Sequence, residues 1–272
     1  MVTDGRHSRR SCFALMAAWV VALPVCGAWA ADGQPASATG EASAAPTPLR
    51  AELVKTGLYL ITGGGGNVLL RLSAAGAVLI NGKDAGMYRP LMSQVRRISR
   101  LSDLPVRVLM LTDLAEHHAA NQALFAAAGV ATLVQQNARP LLPAPLPLAA
   151  SGARAPATVV TFDREYRLQI GGVEVKMIHV GPVRTPVDTV VLFPDLKVLA
   201  VGDLYTTATP TAAMASAGGL ARWSQALGQA LELDFELVVP SEGPPVPRAE
   251  LDALKARLDA LAAVSNARPL KP

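Results

Sequence analysis

The sequence predicts an α/β protein folded as an αββα sandwich of two similar, ββ-containing halves. Two observations lead to this prediction. Apolar runs of strand length dominate both halves of the chain and alternate with segments of helical periodicity. A proline-rich stretch, Pro140 to Pro156, then separates one series of strands and helices from a second, similar series. We therefore expect two sheets to pack face to face between outer helices.

The first half shows a ββ-then-βα pattern. Its predicted strands are Leu53–Thr62, Asn67–Leu72, Ala77–Asn81, Val106–Thr112 and Val130–Gln135, and its predicted helices are Pro90–Leu101 and Glu116–Ala128. Gly129 follows the second helix, in the position where a glycine commonly ends one. The run Gly63–Gly66 precedes a strand, so it predicts a tight turn and not a phosphate-binding loop, which would open a helix.

The second half repeats the paired strands and closes with helices. We predict a strand near Thr158–Phe162, hairpins over Tyr166–Val180 and Asp188–Gly202, a helix near Leu220–Leu233 and a strand over Phe235–Pro240. The hairpins turn at Gly171-Gly172 and Pro194-Asp195, which are typical turn pairs. A closing helix presents one apolar face formed by Leu251, Leu254, Leu258 and Leu261.

The N-terminus predicts export. Residues 1–30 have the order of a signal peptide: basic residues at Arg6 to Arg10, an apolar run from Phe13 to Val25, and Ala28-Trp-Ala30 as a cleavage site. Arg9-Arg10 fits both a twin-arginine and an ordinary signal, so both routes stay open. Residues 31–48 lack periodicity and predict a disordered linker before a domain at 49–272. We expect a periplasmic or secreted protein with no stable membrane span after cleavage.

Composition excludes several classes of function. Both cysteines lie within the predicted signal, so the mature chain has neither disulfides nor thiolate ligands. Removing Asp4 and the three arginines of the signal leaves 22 basic and 20 acidic residues, so no nucleic-acid footprint is expected. The mature chain keeps only three of the four histidines, which is too few for a conventional two-zinc centre.

The segment Leu111–Asn121, LTDLAEHHAAN, resembles the metal-binding HxHxDH loop of the metallo-β-lactamase superfamily. Four further segments resemble that family in the same order along the chain: Lys55–Val68, Gly181–Asp195, Val198–Leu204 and Val238–Pro244. The resemblance implies the metallo-β-lactamase fold for nearly all of the mature chain. It also implies a degenerate metal site, since several histidine positions of the family hold other residues.

Aligned on Asn121, the resemblance implies one surviving set of ligands and one lost set. The candidate single metal site consists of Glu116, His117, Asp203 and Glu242, all of which can bind a cation. The degenerate ligand positions are Thr112, Leu114 and Arg184, none of which replaces a neutral imidazole. The cofactor expected is one divalent metal, zinc or a harder ion, or no metal at all.

Arg184 suggests a second interpretation of the same residues. A guanidinium placed beside Glu116, Asp203 and Glu242 would act as their internal counter-ion, in place of a metal. Without it, three neighbouring carboxylates would raise one another's pKa. We therefore predict that removing Arg184 destabilises the fold by several kcal/mol, about the cost of breaking a buried ion pair.

Each candidate also has a purely structural interpretation. Glu116 and His118 suit the solvated first turn of a helix, His179 suits a strand end, Asp203 suits a turn and Glu242 suits an exposed loop. The sequence thus predicts an exported protein of metallo-β-lactamase fold that binds a small-molecule ligand or an exported partner without catalysis. The alternative is a single-metal hydrolase acting on an ester, lactam or thioester.

Overall fold

The computed structural model describes residues 48–99, 104–142, 158–208 and 219–267. The predicted signal, nearly all of the linker and most of the proline-rich stretch lie outside these described residues. Within them, the α/β architecture is the predicted αββα sandwich.

The first sheet has seven strands that follow one another in chain order. They are β1 (Arg50–Lys55), β2 (Leu58–Thr62), β3 (Val68–Ser73), β4 (Gly76–Ile80), β5 (Val106–Met110), β6 (Ala131–Gln135) and β7 (Val159–Phe162). Strands β1 to β4 are antiparallel, whereas β4 to β7 are parallel. The single strand predicted over Leu53–Thr62 is in fact a hairpin, because Gly57 adopts a φ of 72° and reverses the chain.

The second sheet has six strands. They are β8 (Glu165–Ile170), β9 (Val173–His179), β10 (Thr189–Phe193), β11 (Val198–Gly202), β12 (Leu237–Pro240) and β13 (Val246–Pro247), in the sheet order β13-β12-β11-β10-β9-β8. The two predicted hairpins are present as β8–β9 and β10–β11. Strands β11 and β12 form the one parallel pair of this sheet among the described residues.

The helices are α1 (Tyr88–Ile98), α2 (Glu116–Ala119), α3 (Gln122–Ala127), α4 (Gly219–Leu231) and α5 (Arg248–Ala267), with a 3-10 helix at Gln136–Leu141. The helix predicted over Glu116–Ala128 is interrupted at Asn121. The buried amide of Asn121 donates to the carbonyl oxygens of Gly82, Lys83 and Asp84 at 2.8, 3.2 and 2.8 Å. These tertiary hydrogen bonds override the helix propensity of the alanine-rich run. No helix of the described part is long and apolar enough to cross a bilayer.

Three apolar clusters hold the layers together. The central cluster joins the inner faces of the two sheets, for example Met110 of the first sheet with Val191 of the second. The first sheet packs its other face on α1 and α3, and the second sheet packs its other face on α4 and α5. This layering brings the carboxyl ends of β4, β5, β11 and β12 to one edge, where the candidate residues lie.

Candidate metal centre and its cleft

His118 lies at the centre of this edge. It is 0% exposed, although it suited a solvated helix start in the sequence. Its Nδ1 atom is 2.8 and 2.9 Å from the two carboxylate oxygens of Asp113. Because a carboxylate only accepts hydrogen bonds, Nδ1 carries a proton, and in the neutral ring the lone pair is therefore on Nε2. That Nε2 atom is buried without a hydrogen-bond partner.

Asp113 is itself held in place. One oxygen accepts the backbone N–H of Ala115 at 2.8 Å, and the other accepts the hydroxyl of Thr112 at 3.3 Å. A carboxylate that orients an imidazole from behind is the usual partner of a metal-binding histidine, because it sets the tautomer and raises the basicity of the free nitrogen. Asp113 therefore holds His118 in an orientation that suits a metal ligand.

Asp203 faces His118 from the end of β11. Its Oδ1 atom accepts the hydroxyl hydrogen bond of Ser241, lies 3.2 Å from Nε2 of His117 and lies 3.9 Å from Nε2 of His118. Its Oδ2 atom lies 3.5 Å from a guanidinium nitrogen of Arg184. The two oxygens of this one carboxylate thus face different groups: imidazoles on one side and a guanidinium on the other.

Opposing effects act on the pKa of Asp203. Burial works to raise that pKa, but the Ser241 hydrogen bond, His118, His117 and Arg184 together outweigh burial and hold it below the ordinary value. Arg184 is thus one of several groups that lower the pKa of Asp203, which is the effect expected of a counter-ion. The carboxylate is ionised throughout the neutral range and is available as an anionic ligand.

His117, His118 and Asp203 form a cluster that can hold a metal ion. Their ligand atoms all lie within 4.8 Å of one another, and in the described part of the chain they are the one such group of three. Two imidazole nitrogens and one carboxylate oxygen match the donors that zinc accepts in proteins. The residues present therefore fit a single divalent ion.

Gly66 packs closely against the imidazoles of His117 and His118. A Cβ atom on Gly66 would lie 2.8 Å from Cδ2 of His117 and 3.1 Å from Cδ2 of His118, so any larger residue would displace the pair. The carbonyl of Gly66 accepts a hydrogen bond of 2.7 Å from the ammonium of Lys83, which is fully buried. Burial lowers the pKa of Lys83 from 10.5 to about 8, with partial compensation by Asp84.

Arg184 projects from a loop that Asp188 organises. One oxygen of Asp188 accepts the backbone N–H groups of Val183, Arg184 and Thr185 at 2.9, 2.7 and 3.0 Å. The other oxygen accepts the hydroxyl of Thr185 at 2.6 Å. The backbone of Arg184 is therefore fixed, while its side chain is 45% exposed.

An open cleft of about 540 Å³ lies outside the cluster. Its walls combine charged groups with the hydroxyls of Thr206 and Thr207 and the apolar surfaces of Tyr205, Pro244 and Val246. The ionisable lining residues are His117, Arg184, Asp203 and Glu242. His117 and Asp203 thus connect the metal cluster to the cleft.

The structure separates the residues that the sequence grouped together. Of the candidate single site, His117 and Asp203 are in the cluster, Glu242 lines only the outer cleft, and Glu116 is exposed at the start of α2. Of the degenerate positions, Arg184 alone approaches Asp203. Thr112 is buried against Asn81, and Leu114 packs on the apolar cluster beneath the helices.

Two residues of the site, Asp113 and His118, were not among the ligands predicted from the sequence. The alignment on Asn121 gave the last histidine position of the loop to His117, whereas the buried histidine is His118. A shift by one residue would have placed Asp113 and His118 on ligand positions of the family motif. His179 has the structural role that suited it, because its Nδ1 lies 2.9 Å from the carbonyl oxygen of Asp188.

This fold is that of the metallo-β-lactamases. A metallo-β-lactamase from Pontibacter korlensis matches with a TM-score of 0.64 and 19% identity, over 78% of this chain and 99% of that one. The DIM-1 metallo-β-lactamase matches with a TM-score of 0.63 and 18% identity, over 79% and 99%. FIM-1 from Pseudomonas aeruginosa, solved in a mono-zinc form, matches with a TM-score of 0.60 and 18% identity, over 80% and 96%. No family model and no curated protein matches the sequence.

Proposed function

We propose that this chain binds one divalent metal ion through His117, His118 and Asp203 and acts as a ligand-binding protein that has lost dizinc hydrolysis. The orientation of Asp203 carries the proposal. Its Oδ1 atom faces the two imidazoles, while its Oδ2 atom faces Arg184. One oxygen is thereby available to an ion, and the other is already paired with a permanent cation.

Arg184 opposes a second metal ion. Two unit charges about 4 Å apart repel by roughly 4 kcal/mol at an effective dielectric constant of about 20, and a divalent ion doubles this. Thr112 and Leu114, which the sequence analysis assigned to a second ion, also offer no donor there, because Thr112 is buried against Asn81 and Leu114 packs on an apolar cluster. A single ion on the inner side of Asp203 is the arrangement consistent with these contacts.

The donor set favours zinc over harder ions. Zinc accepts imidazole nitrogen together with carboxylate oxygen, whereas calcium and magnesium prefer sites built entirely of oxygen. Asp113 supports this choice, since the carboxylate behind His118 leaves Nε2 free to bind. The alternative ligands Glu116 and Glu242 would favour harder ions, but neither lies in the cluster.

A single-metal hydrolase is the second candidate, and the open side of the cluster favours it. Three protein ligands with a free coordination position are typical of catalytic zinc sites. A bound zinc ion would supply a Lewis acid and an activated water there. His117, His118 and Asp203 would hold the ion, and Arg184 would orient an anionic group of an ester, lactam or thioester.

Elemental analysis tests the metal proposal. Protein purified from zinc-supplemented medium should contain one zinc ion per chain, and Asp203→Asn should lose it while the surface variant Glu116→Gln keeps it. Two tightly held ions, or none at saturating zinc, would contradict the proposal. Zinc-dependent hydrolysis of an ester, lactam or thioester panel, absent in Asp203→Asn, would favour the hydrolase instead.

We also propose export to the periplasm or medium, which rests on residues 1–30 alone. Mass spectrometry of secreted material should show an N-terminus at Ala31 and no thiol. A lipidated Cys26 at the N-terminus would contradict cleavage after Ala30.

A further inference from the structure

We propose that the cleft binds a small organic carboxylate, with Arg184 as its anchor, and that the bound metal controls the affinity. This inference rests on the proposed metal site and adds the class of ligand. The guanidinium of Arg184 presents several N–H donors. Within the described residues, the ion pair formed by its guanidinium is a single contact of 3.5 Å to Asp203.

The guanidinium is held where a ligand can reach it. Asp188 fixes the backbone of residues 183–185, so Arg184 extends from a rigid support. Its side chain is 45% exposed and lines the cleft. A guanidinium offers several N–H donors in one plane, which suits the two oxygens of a carboxylate. The donors not directed at Asp203 are therefore suited to an incoming carboxylate.

The charge of the cleft depends on the metal. Arg184 contributes one positive charge, and Asp203 and Glu242 contribute one negative charge each. With a neutral His117, the lining is net negative, so it repels anions. A divalent ion bound at the cluster reverses the sign of the lining and favours an anion. Metal binding and carboxylate binding should therefore be coupled.

The walls of the cleft select the body of the ligand. Tyr205, Pro244 and Val246 contribute apolar surface to the same cleft. Arg257 of α5 donates to the carbonyl of Thr206 at 3.2 Å and so attaches the Tyr205–Thr207 wall to the closing helix. A volume of about 540 Å³ suits a small molecule. The combination fits an organic acid with an apolar body.

Benzoate and benzamide provide a matched pair of probes, because they have the same shape and differ in charge. Calorimetric titrations should be made into zinc-loaded and chelator-treated protein, with zinc content measured on every sample. We expect zinc-loaded protein to bind benzoate at least about 10-fold more tightly than benzamide, the size of one charge-assisted hydrogen bond. Chelation should weaken benzoate binding by a similar factor.

Variants separate the contribution of Arg184 from that of the metal. Arg184→Gln should abolish the preference for benzoate, and Arg184→Lys should keep part of it. Arg167→Gln, which removes an exposed arginine of β8, should leave the preference unchanged.

The outcomes distinguish the two proposals. If zinc fails to bind, the proposed metal function is wrong and the coupled inference fails with it. If zinc binds but benzoate and benzamide bind equally, only the carboxylate inference is wrong. A benzoate preference that survives in Arg184→Gln would assign the anion to the metal alone and would overturn the role of Arg184.

Discussion

His118 and Arg184 approach the same carboxylate, Asp203, from two regions that are built differently. His118 is fully buried, is oriented by Asp113 and is packed on Gly66. Arg184 has a fixed backbone but a half-exposed side chain, with a contact of 3.5 Å to Asp203. In the proposed metal site, the buried inner side would determine which ion binds, whereas the exposed side chain of Arg184 can change its partner without disturbing the core.

The largest effect should come from the inner side. His118→Leu removes a metal ligand while filling the buried space, and we expect zinc affinity to fall more than about 100-fold, because even loss of a supporting partner typically costs 10–100-fold. Competition with a chromophoric chelator measures the change. Circular dichroism should first establish that the variant is folded, and Glu116→Gln serves as the control. Unchanged zinc affinity in folded His118→Leu would remove His118 from the site.

The buried ammonium below the histidines predicts a pH dependence of stability. The folded-state pKa of Lys83 is about 8, against 10.5 when unfolded. Between these pH values the unfolded chain binds more protons, so the free energy of unfolding rises with pH, by at most about 3 kcal/mol. Below pH 8 both states are charged and the cost of burial is constant.

Urea unfolding between pH 7 and 10.5 tests this prediction. The stability of the wild type minus that of Lys83→Met should rise from about pH 8 upward. As the control, Lys55→Met at an exposed position should show the same change of unfolding free energy with pH as the wild type. A constant difference between the wild type and Lys83→Met would show that Lys83 is not charged and desolvated in the folded protein.

A smaller effect on zinc affinity is expected from Asp113, whose carboxylate orients His118. Asp113→Asn keeps an acceptor for Nδ1 but removes the negative charge that raises the basicity of the imidazole. Zinc affinity should fall by about 10–100-fold. The exposed Asp163→Asn is the matched control. Equal affinity in both variants would leave Asp113 with a purely structural role.

The smallest effect is expected on the outer side. Arg184→Ala should reduce the free energy of unfolding by less than about 1 kcal/mol, because a half-exposed ion pair is weak. This replaces the several kcal/mol expected from the sequence, which assumed burial among three carboxylates. Thermal or urea unfolding measures the loss, and a loss of several kcal/mol would contradict the prediction.

Most of the fold could be predicted because apolar periodicity and turn residues are local signals. The strands around the site, β5, β11 and β12, lie where their hydrophobic runs indicated. The break at Asn121 could not be predicted, since its cause is a set of hydrogen bonds to residues 82–84. The length of the predicted helix was wrong because local propensity does not include distant acceptors.

The candidate site was only partly predictable. Two adjacent histidines differ by about 100° around a helix, so one points inward and its neighbour points along the surface. Nothing in the local sequence determines which of His117 and His118 is buried. Pairing of Arg184 with Asp203, and not with Glu116 or Glu242, likewise depends on loops that are far apart in the chain.

The sequence by itself determined the positions of most strands along the chain and the scarcity of histidine and cysteine, because these are properties of composition and local pattern, and the family resemblance singled out Asp203. Tertiary structure alone decided that Asp113 orients His118, that Nε2 of His118 remains without a partner, and that the two oxygens of Asp203 face different groups. The physical reason is distance along the chain. The geometry of the candidate metal site arises where the ends of β5, β11 and β12 converge. Only packing of the two sheets brings those ends together.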